Sequence, residues 1–431
     1  MDSLLYTVSE WAVNTIGYKA IMASPLLVVL YIFVRQLKIF RVDLLSITVA
    51  LSAMPMLTPL ATRVSGYRYF TEMNFYLQDD LALKTSGVLL ISIFVFAVIL
   101  GAKISFGVRL ANAGSPVVLS WGVISLLFFV NLVLLALFLE SGTIVFSSYG
   151  QIKTSPANWS SFVNQFFNLS AAVSLTALST TRRLRLTQLI LAVFIILALL
   201  MSRRTLALGL IVLLLYTFGT RRLTAKHFII AIAGVALLWA IGEMRTVGIV
   251  NFLQGAWQES VARQTYSMPG GGANIFLSVM GMIHLVGSGT LAFPETVPIL
   301  LWPKGIYEST IYESYGYMYN GGTHIAAVLY WNCGLVGVFF GGVLLGRVAA
   351  NVSSVLSRMM EETGGTLSAM LSVGFVLLLP NTLWYNPVAV IKLSGAVICS
   401  YFILTGIKFI KIESFHAIPA QRRTNNAPSG R

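Results

Sequence analysis

Arg203 and Arg204 sit side by side in MSRRTLALGL (201–210), between the apolar runs LTQLILAVFIILALL and TLALGLIVLLLYTF. A permanent charge in such surroundings is costly, and it is kept where it is paired or functional. Arginine is the side chain suited to planar, forked contact with phosphate or carboxylate. The doublet opens an apolar run of helical length, so helix N-terminal amides add partial positive charge at the same place. Arg245, in IGEMRTVG, follows the span at 227–242, which pairs with the one at 205–220. That pairing brings Arg245 towards Arg203, and three converging guanidiniums are a diphosphate site. The plainer alternative is that these arginines snorkel to lipid headgroups or pair with Glu243 and Glu140. Arg263, Arg63 and Arg68 are further arginines expected on the same side.

A proton acceptor has fewer candidates. His324 follows Gly321-Gly322-Thr323 at the mouth of an apolar span. A neutral imidazole at such a water–lipid boundary can take a proton from a substrate hydroxyl. A histidine that merely caps the start of the helix is an equally good reading. His284 lies in an apolar stretch and reads as packed. Glu243 and Glu259 are alternative bases. The sequence has no HExxH, no DxD, no phosphate-loop pattern and no cysteine cluster, so no metal and no nucleotide or other cofactor is expected. Cys333 and Cys399 fall in apolar segments and read as reduced packing residues.

The elements that position these groups follow from composition. Of 431 residues, 57% are hydrophobic and 10% charged, with a mean hydropathy of +0.81. A soluble chain of this length needs far more charge to cover its surface. The apolar residues form long continuous runs, not the in–out alternation of a barrel strand, so the spans are helices. At about 20 residues per crossing, spans fall at 17–34, 43–60, 85–101, 117–139, 159–180, 186–201, 205–220, 227–242, 323–346, 366–380 and 388–407. Residues 1–431 thus form a single all-α, polytopic transmembrane domain with about eleven helices. The start, MDSLLYTVSEW, carries Asp2 and Glu10 where a signal peptide has basic residues, so no cleaved leader is expected.

Eleven spans put the termini on opposite sides, and the positive-inside rule selects the orientation. With the C-terminus and the tail at 411–431 cytoplasmic, the inner segments hold 18 Lys and Arg against four acidic residues. The outer segments hold 11 of each. The formal net charge of +14 therefore lies on the inner side, as a topology and anionic-lipid signal. No nucleic-acid signature is visible. The arginine doublet falls outside, against the general bias, while TRRLRLT and RRLTAK on either side fall inside. If 186–201 were instead a re-entrant or buried helix, the doublet would sit in an ordinary inner loop.

The one large extramembrane segment, 243–322, is expected on the outer side. Loops of this length are usually functional or have structure of their own. It contains a glycine triplet (270–272) and an apolar helical stretch, ANIFLSVMGMIHLVG (273–287), expected to lie on the bundle or dip into the interface without crossing. It is dense in aromatics from Trp302 to Tyr319. Such aromatics are an interfacial belt or a platform for the apolar faces of sugar rings.

Three stretches in order resemble the oligosaccharide repeat-unit (O-antigen) polymerase family. They are the arginine turn LLMSRRTLALGL followed one helix later by IGEMRTVG, the segment GSGTLAFPETVPILLWPKGIYE (287–308), and GGTHIAAVLYWNCGLVGVFFGG (321–342). Together they cover roughly 195–346; the N-terminal half is similar in hydropathy alone. The resemblance implies a C-type, all-helical glycosyltransferase in the bacterial inner membrane, with its N-terminus periplasmic. Its donor would be a growing polysaccharide on undecaprenyl diphosphate, and its acceptor one repeat unit on the same carrier. On that reading Arg203, Arg204 and Arg245 hold the leaving diphosphate. His324 and Glu243 are the acid–base candidates. Arg263, Trp302, Lys304, Tyr307 and Tyr319 line the sugar site. Where the family's third stretch often has a glutamate before Leu-Tyr, this chain has Val328, which shifts the base to His324. Partners would be the lipid-linked oligosaccharides, membrane lipid and, as a further candidate, a chain-length regulator protein, with no nucleic acid. Two rivals have the same setting: a ligase that uses another acceptor, and a flippase for lipid-linked oligosaccharides. A structural membrane partner without chemistry is the third.

Overall fold

The structure, a computed structural model, describes residues 3–39, 43–57, 81–104, 121–140, 166–176, 184–200, 204–217, 271–287, 324–361, 367–385 and 389–416. Among these residues every regular element is a helix. They are α1 (Ser3–Thr15), α2 (Tyr18–Ile39), α3 (Leu44–Ala53, extended by a 3-10 turn at Met54–Met56), α4 (Leu81–Lys103), α5 (Trp121–Glu140), α6 (Phe166–Thr176), α7 (Leu184–Leu200), α8 (Arg204–Thr217), α9 (Gly271–Gly287), α10 (Ile325–Glu361), α11 (Leu367–Trp384) and α12 (Ala389–His416). Among the described residues three helices are long and apolar enough to cross a membrane: Leu81–Lys103, Ile325–Ser357 and Leu367–Trp384. An all-helical membrane protein is what these residues form. The expected span at 227–242 and most of the loop at 243–322 lie outside the described residues.

Local chemistry sets the ends of the helices. Asp43 caps α3: its Oδ2 accepts from the Ser46 amide at 3.2 Å and from the Ser46 hydroxyl at 2.9 Å, which satisfies an otherwise orphan donor of the first turn. Gly17 takes φ +87° between α1 and α2, the left-handed turn that ends a helix without Cβ strain. Inside the helices, hydroxyls bond back one turn. Thr48 donates to the Leu44 carbonyl, Thr85 to Leu81 and Ser372 to Ser368. Where water is absent each polar group needs such a partner.

The centre of the bundle is α4 against the long limb of α10, where backbones come unusually close. A Cβ added at Gly346 would collide with the Val98 carbonyl, one at Gly101 with the Val343 carbonyl, and one at Gly342 would stand 2.7 Å from the Ala97 Cβ. Small residues spaced four apart permit this approach, the dominant source of helix association in lipid. Phe94 with Gly342, and Val98 with Gly346, give the two helices the same direction.

Three expectations change. The span at 323–346 is not one rod: α10 breaks at Cys333 (φ −141°, ψ 16°) and Gly334 (φ 61°, ψ −158°). A Cβ at Gly341 would stand 2.5 Å from the Leu329 side chain. Residues twelve apart lie about 18 Å apart on a straight helix, so the limb 325–332 folds back on the limb that follows. Second, 273–287 does not lie on the bundle. In α9 residues 275–283 are buried all round, with Phe276 and Met280 against Gly87 of α4; a helix apolar on every face belongs in an interior. Third, the last helix runs on to His416, into the segment expected as tail. The sequence reading also missed α1, which docks on α4 through a Ser9–Ser86 hydroxyl pair at 2.8 Å.

Candidate functional site

Arg204 is the first residue of α8. This helix is the second arm of a hairpin with α7, and it packs tightly on α11: a Cβ at Gly209 would meet the Leu377 carbonyl at 2.6 Å. The other end of α8 is tied down. The Tyr216 hydroxyl accepts from the Leu44 amide and shares a hydrogen bond with the Ser353 hydroxyl, both at 2.9 Å. Leu44 follows Asp43, whose carboxylate accepts from Arg35 at 2.6 Å. Twelve residues of helix separate Tyr216 from Arg204, or about 18 Å of rise. The backbone at Arg204 is therefore held at the end of α8 remote from the Arg35–Asp43 pair. The sequence reading had set these two on opposite sides. The Arg204 side chain, and all of Arg203, Arg245, Glu243, Arg263, Trp302, Lys304, Tyr307 and Tyr319, lie outside the described residues.

His324 is described in full, and its setting differs from the one expected. The imidazole is entirely buried rather than placed at a water–lipid boundary. Its ring stands edge-on to Phe94, with centroids 5.4 Å apart and planes at 88°. The Nδ1 atom accepts from the Ala326 amide at 3.1 Å, and the His324 carbonyl starts the helix by accepting from Ala327 at 2.9 Å. His324 is thus the N-cap of the short first limb of α10. The plainer of the two sequence readings describes this geometry.

The cap has a chemical consequence. With its Nδ1 lone pair engaged by an N–H, the neutral ring bears its hydrogen on Nε2. The Ser52 backbone lies near the ring, and among the described residues Nε2 has no hydrogen-bond partner. In this arrangement neither nitrogen has a lone pair to offer a substrate hydroxyl. His324 could act as a base only by giving up the cap. Its height also follows from its neighbours. Phe94 lies nine residues before Lys103, about 14 Å of rise, and Ser52 lies eight after Leu44, about 12 Å. The imidazole and the start of α8 thus stand at similar heights, both remote from the Arg35–Asp43 end.

Among the described residues no group of three His, Cys, Asp or Glu side chains is placed to hold a metal ion. What sequence reasoning missed here is the polar tie formed by Tyr216, Leu44 and Ser353. The one available signal was a tyrosine ending an apolar run, which is common in membrane proteins for other reasons. Compared with family models, curated proteins and solved structures, the chain matches none.

Proposed function

We propose that the protein is a polytopic membrane glycosyltransferase of the repeat-unit polymerase type. It joins undecaprenyl-diphosphate-linked oligosaccharides into a surface polysaccharide at the outer leaflet of a bacterial inner membrane. In this reading the chain crosses eleven times, with its N-terminus periplasmic and its C-terminus cytoplasmic. The acceptor sugar hydroxyl attacks the donor's anomeric carbon, the bond to the diphosphate oxygen breaks, and undecaprenyl diphosphate leaves with the electron pair. Arg203, Arg204 and Arg245 stabilise the negative charge that develops on that oxygen. Such stabilisation speeds the reaction because it grows in the transition state. Sugars lie under the aromatic segment containing Trp302, Lys304, Tyr307 and Tyr319, with Arg263. Glu243 takes the hydroxyl proton, since His324 is engaged as a helix cap.

The observation that supports this most is the anchoring of α8: Tyr216 ties one end to the Arg35–Asp43 end of the bundle, and Arg204 begins the helix at the other. A diphosphate bound there is separated from the inner basic flank by the length of the helix. The decisive experiment is reconstitution of the purified chain with lipid-linked repeat units alone. A ladder of products supports polymerase chemistry. Transfer only to another acceptor makes the protein a ligase, and no transfer to any acceptor refutes the assignment. One observation favours a second reading, a flippase for the same lipid-linked substrate. The break at Cys333–Gly334 makes α10 discontinuous, a device transporters use at their binding sites. Translocation of lipid-linked substrate in proteoliposomes without bond formation would establish that reading.

A further inference from the structure

At the end of the bundle remote from Arg204, helices α2, α3, α4 and α10 enclose an open cavity of about 300 Å³. Arg35 and Tyr31 line it from α2, Asp43 from the cap of α3, Lys103 from the last turn of α4, and Ser353 and Ser357 from one face of α10. The Oδ2 of Asp43 accepts from Arg35 and from both donors of Ser46. Arg35 donates its Nε to that carboxylate, and the terminal amino groups of its planar fork are further donors of the kind that suits a second anion. Lys103 is exposed and forms no ion pair among the described residues. Two cations against one carboxylate leave the lining with one net positive charge, matched to a single phosphodiester.

The setting identifies the source of that phosphate. Lys103 ends a 23-residue apolar helix long enough to cross a bilayer, so the cavity lies at headgroup height. Both flanking helices carry exposed apolar stripes: Leu27, Leu30 and Val34 on α2, and Val336, Phe340 and Leu344 on α10. An inorganic ion has no use for those stripes, whereas acyl chains do. Basic pockets between helices on the cytoplasmic side are where anionic headgroups bind.

We propose that this cavity binds the phosphate of an anionic glycerophospholipid of the cytoplasmic leaflet, held by Arg35 and Lys103 with the hydroxyls of Ser353 and Ser357 as further donors. The bound lipid bridges α2, α4 and α10 at the point where α8 is also anchored through Tyr216. This proposal stands apart from the transferase reading and survives its failure.

The test is native mass spectrometry of the purified full-length protein titrated with phosphatidylglycerol or phosphatidylcholine of the same acyl composition, with thermal unfolding as a second readout. The wild type should bind phosphatidylglycerol in preference and be stabilised by it. Lys103→Gln should weaken phosphatidylglycerol binding about fivefold, the loss of one lysine near an anionic surface, and leave phosphatidylcholine binding unchanged. Ser357→Ala should weaken it in the same direction and serves if Lys103→Gln does not fold. Lys392→Gln, on the exposed start of α12, should change nothing. Equal binding of the two lipids, or wild-type behaviour of both cavity variants, would overturn the site. Stabilisation by inorganic phosphate as strong as that by the lipid would overturn the lipid assignment.

Discussion

Replacing His324 with asparagine separates the two roles open to that residue. Asparagine is among the best N-cap residues, and its side-chain oxygen can take the Ala326 amide that Nδ1 now accepts at 3.1 Å. It has no imidazole and cannot serve as a base near neutral pH. The cost of His324→Asn is then the edge contact with Phe94, worth about 1 kcal/mol, with a little burial besides. His324→Ala loses that contact and also the cap, another ~1 kcal/mol, and leaves a void where the ring was wholly buried. The alanine variant should therefore be destabilised by about 3 kcal/mol and the asparagine variant by roughly half of that. Thermal unfolding of the detergent-solubilised chain orders the two, and repeat-unit polymerisation in vitro reports activity. Expected is an asparagine variant with a slightly lower Tm and near-normal polymer formation. A variant that folds and unfolds like the wild type but is 10²–10⁴-fold slower, the loss expected for a missing general base, would refute the cap reasoning.

Arg204→Ala should abolish most polymer formation with the protein still inserted, and Arg204→Lys should restore part of it, because a point charge cannot reproduce a forked contact; full activity in the alanine variant removes the diphosphate role. Gly346→Val forces a branched side chain into the Val98 carbonyl, a backbone clash that should cost about 3 kcal/mol, read as a lower Tm and loss of monodispersity. Tyr216→Phe strands the Leu44 amide and removes a partner from Ser353. It should cost about 1–3 kcal/mol, seen as earlier thermal unfolding. Cysteine placed at 204 should react with a membrane-impermeant maleimide from the periplasmic side, and cysteine at 103 only after permeabilisation; the reverse pattern inverts the orientation.

Part of this was legible in one dimension. The run LLISIFVFAVIL predicts a helix wherever it sits, because lipid offers its backbone no other way to bond. Arg35, Asp43 and Lys103 were assigned to one side from charge alone, and the structure gathers them around one cavity. Asp43 also shows a cap that can be read from sequence, an acidic residue three before Ser46. The arginine doublet stood out for the same reason: charge is rare here, so where it occurs it is visible. The aromatic residues from Trp302 to Tyr319 were chosen by density and remain a sequence argument.

Only the tertiary structure decided how the apolar residues divide between neighbours and lipid. In a soluble helix polarity marks the outer face, but here both faces are apolar. Leu344 is 66% exposed while Val338 on the same helix is wholly buried, and hydropathy does not distinguish them. For that reason the docking of α1 and the return of Leu329 onto Gly341 left no mark in the pattern. His324 shows the same limit. Its type and its place before a helix were plain, but whether its ring met water or Phe94 depended on α4, more than two hundred residues away in sequence. Composition alone pointed to lipid as the solvent, because charge is so scarce along the chain; the close approach of glycine-bearing helices decided which side chains face one another.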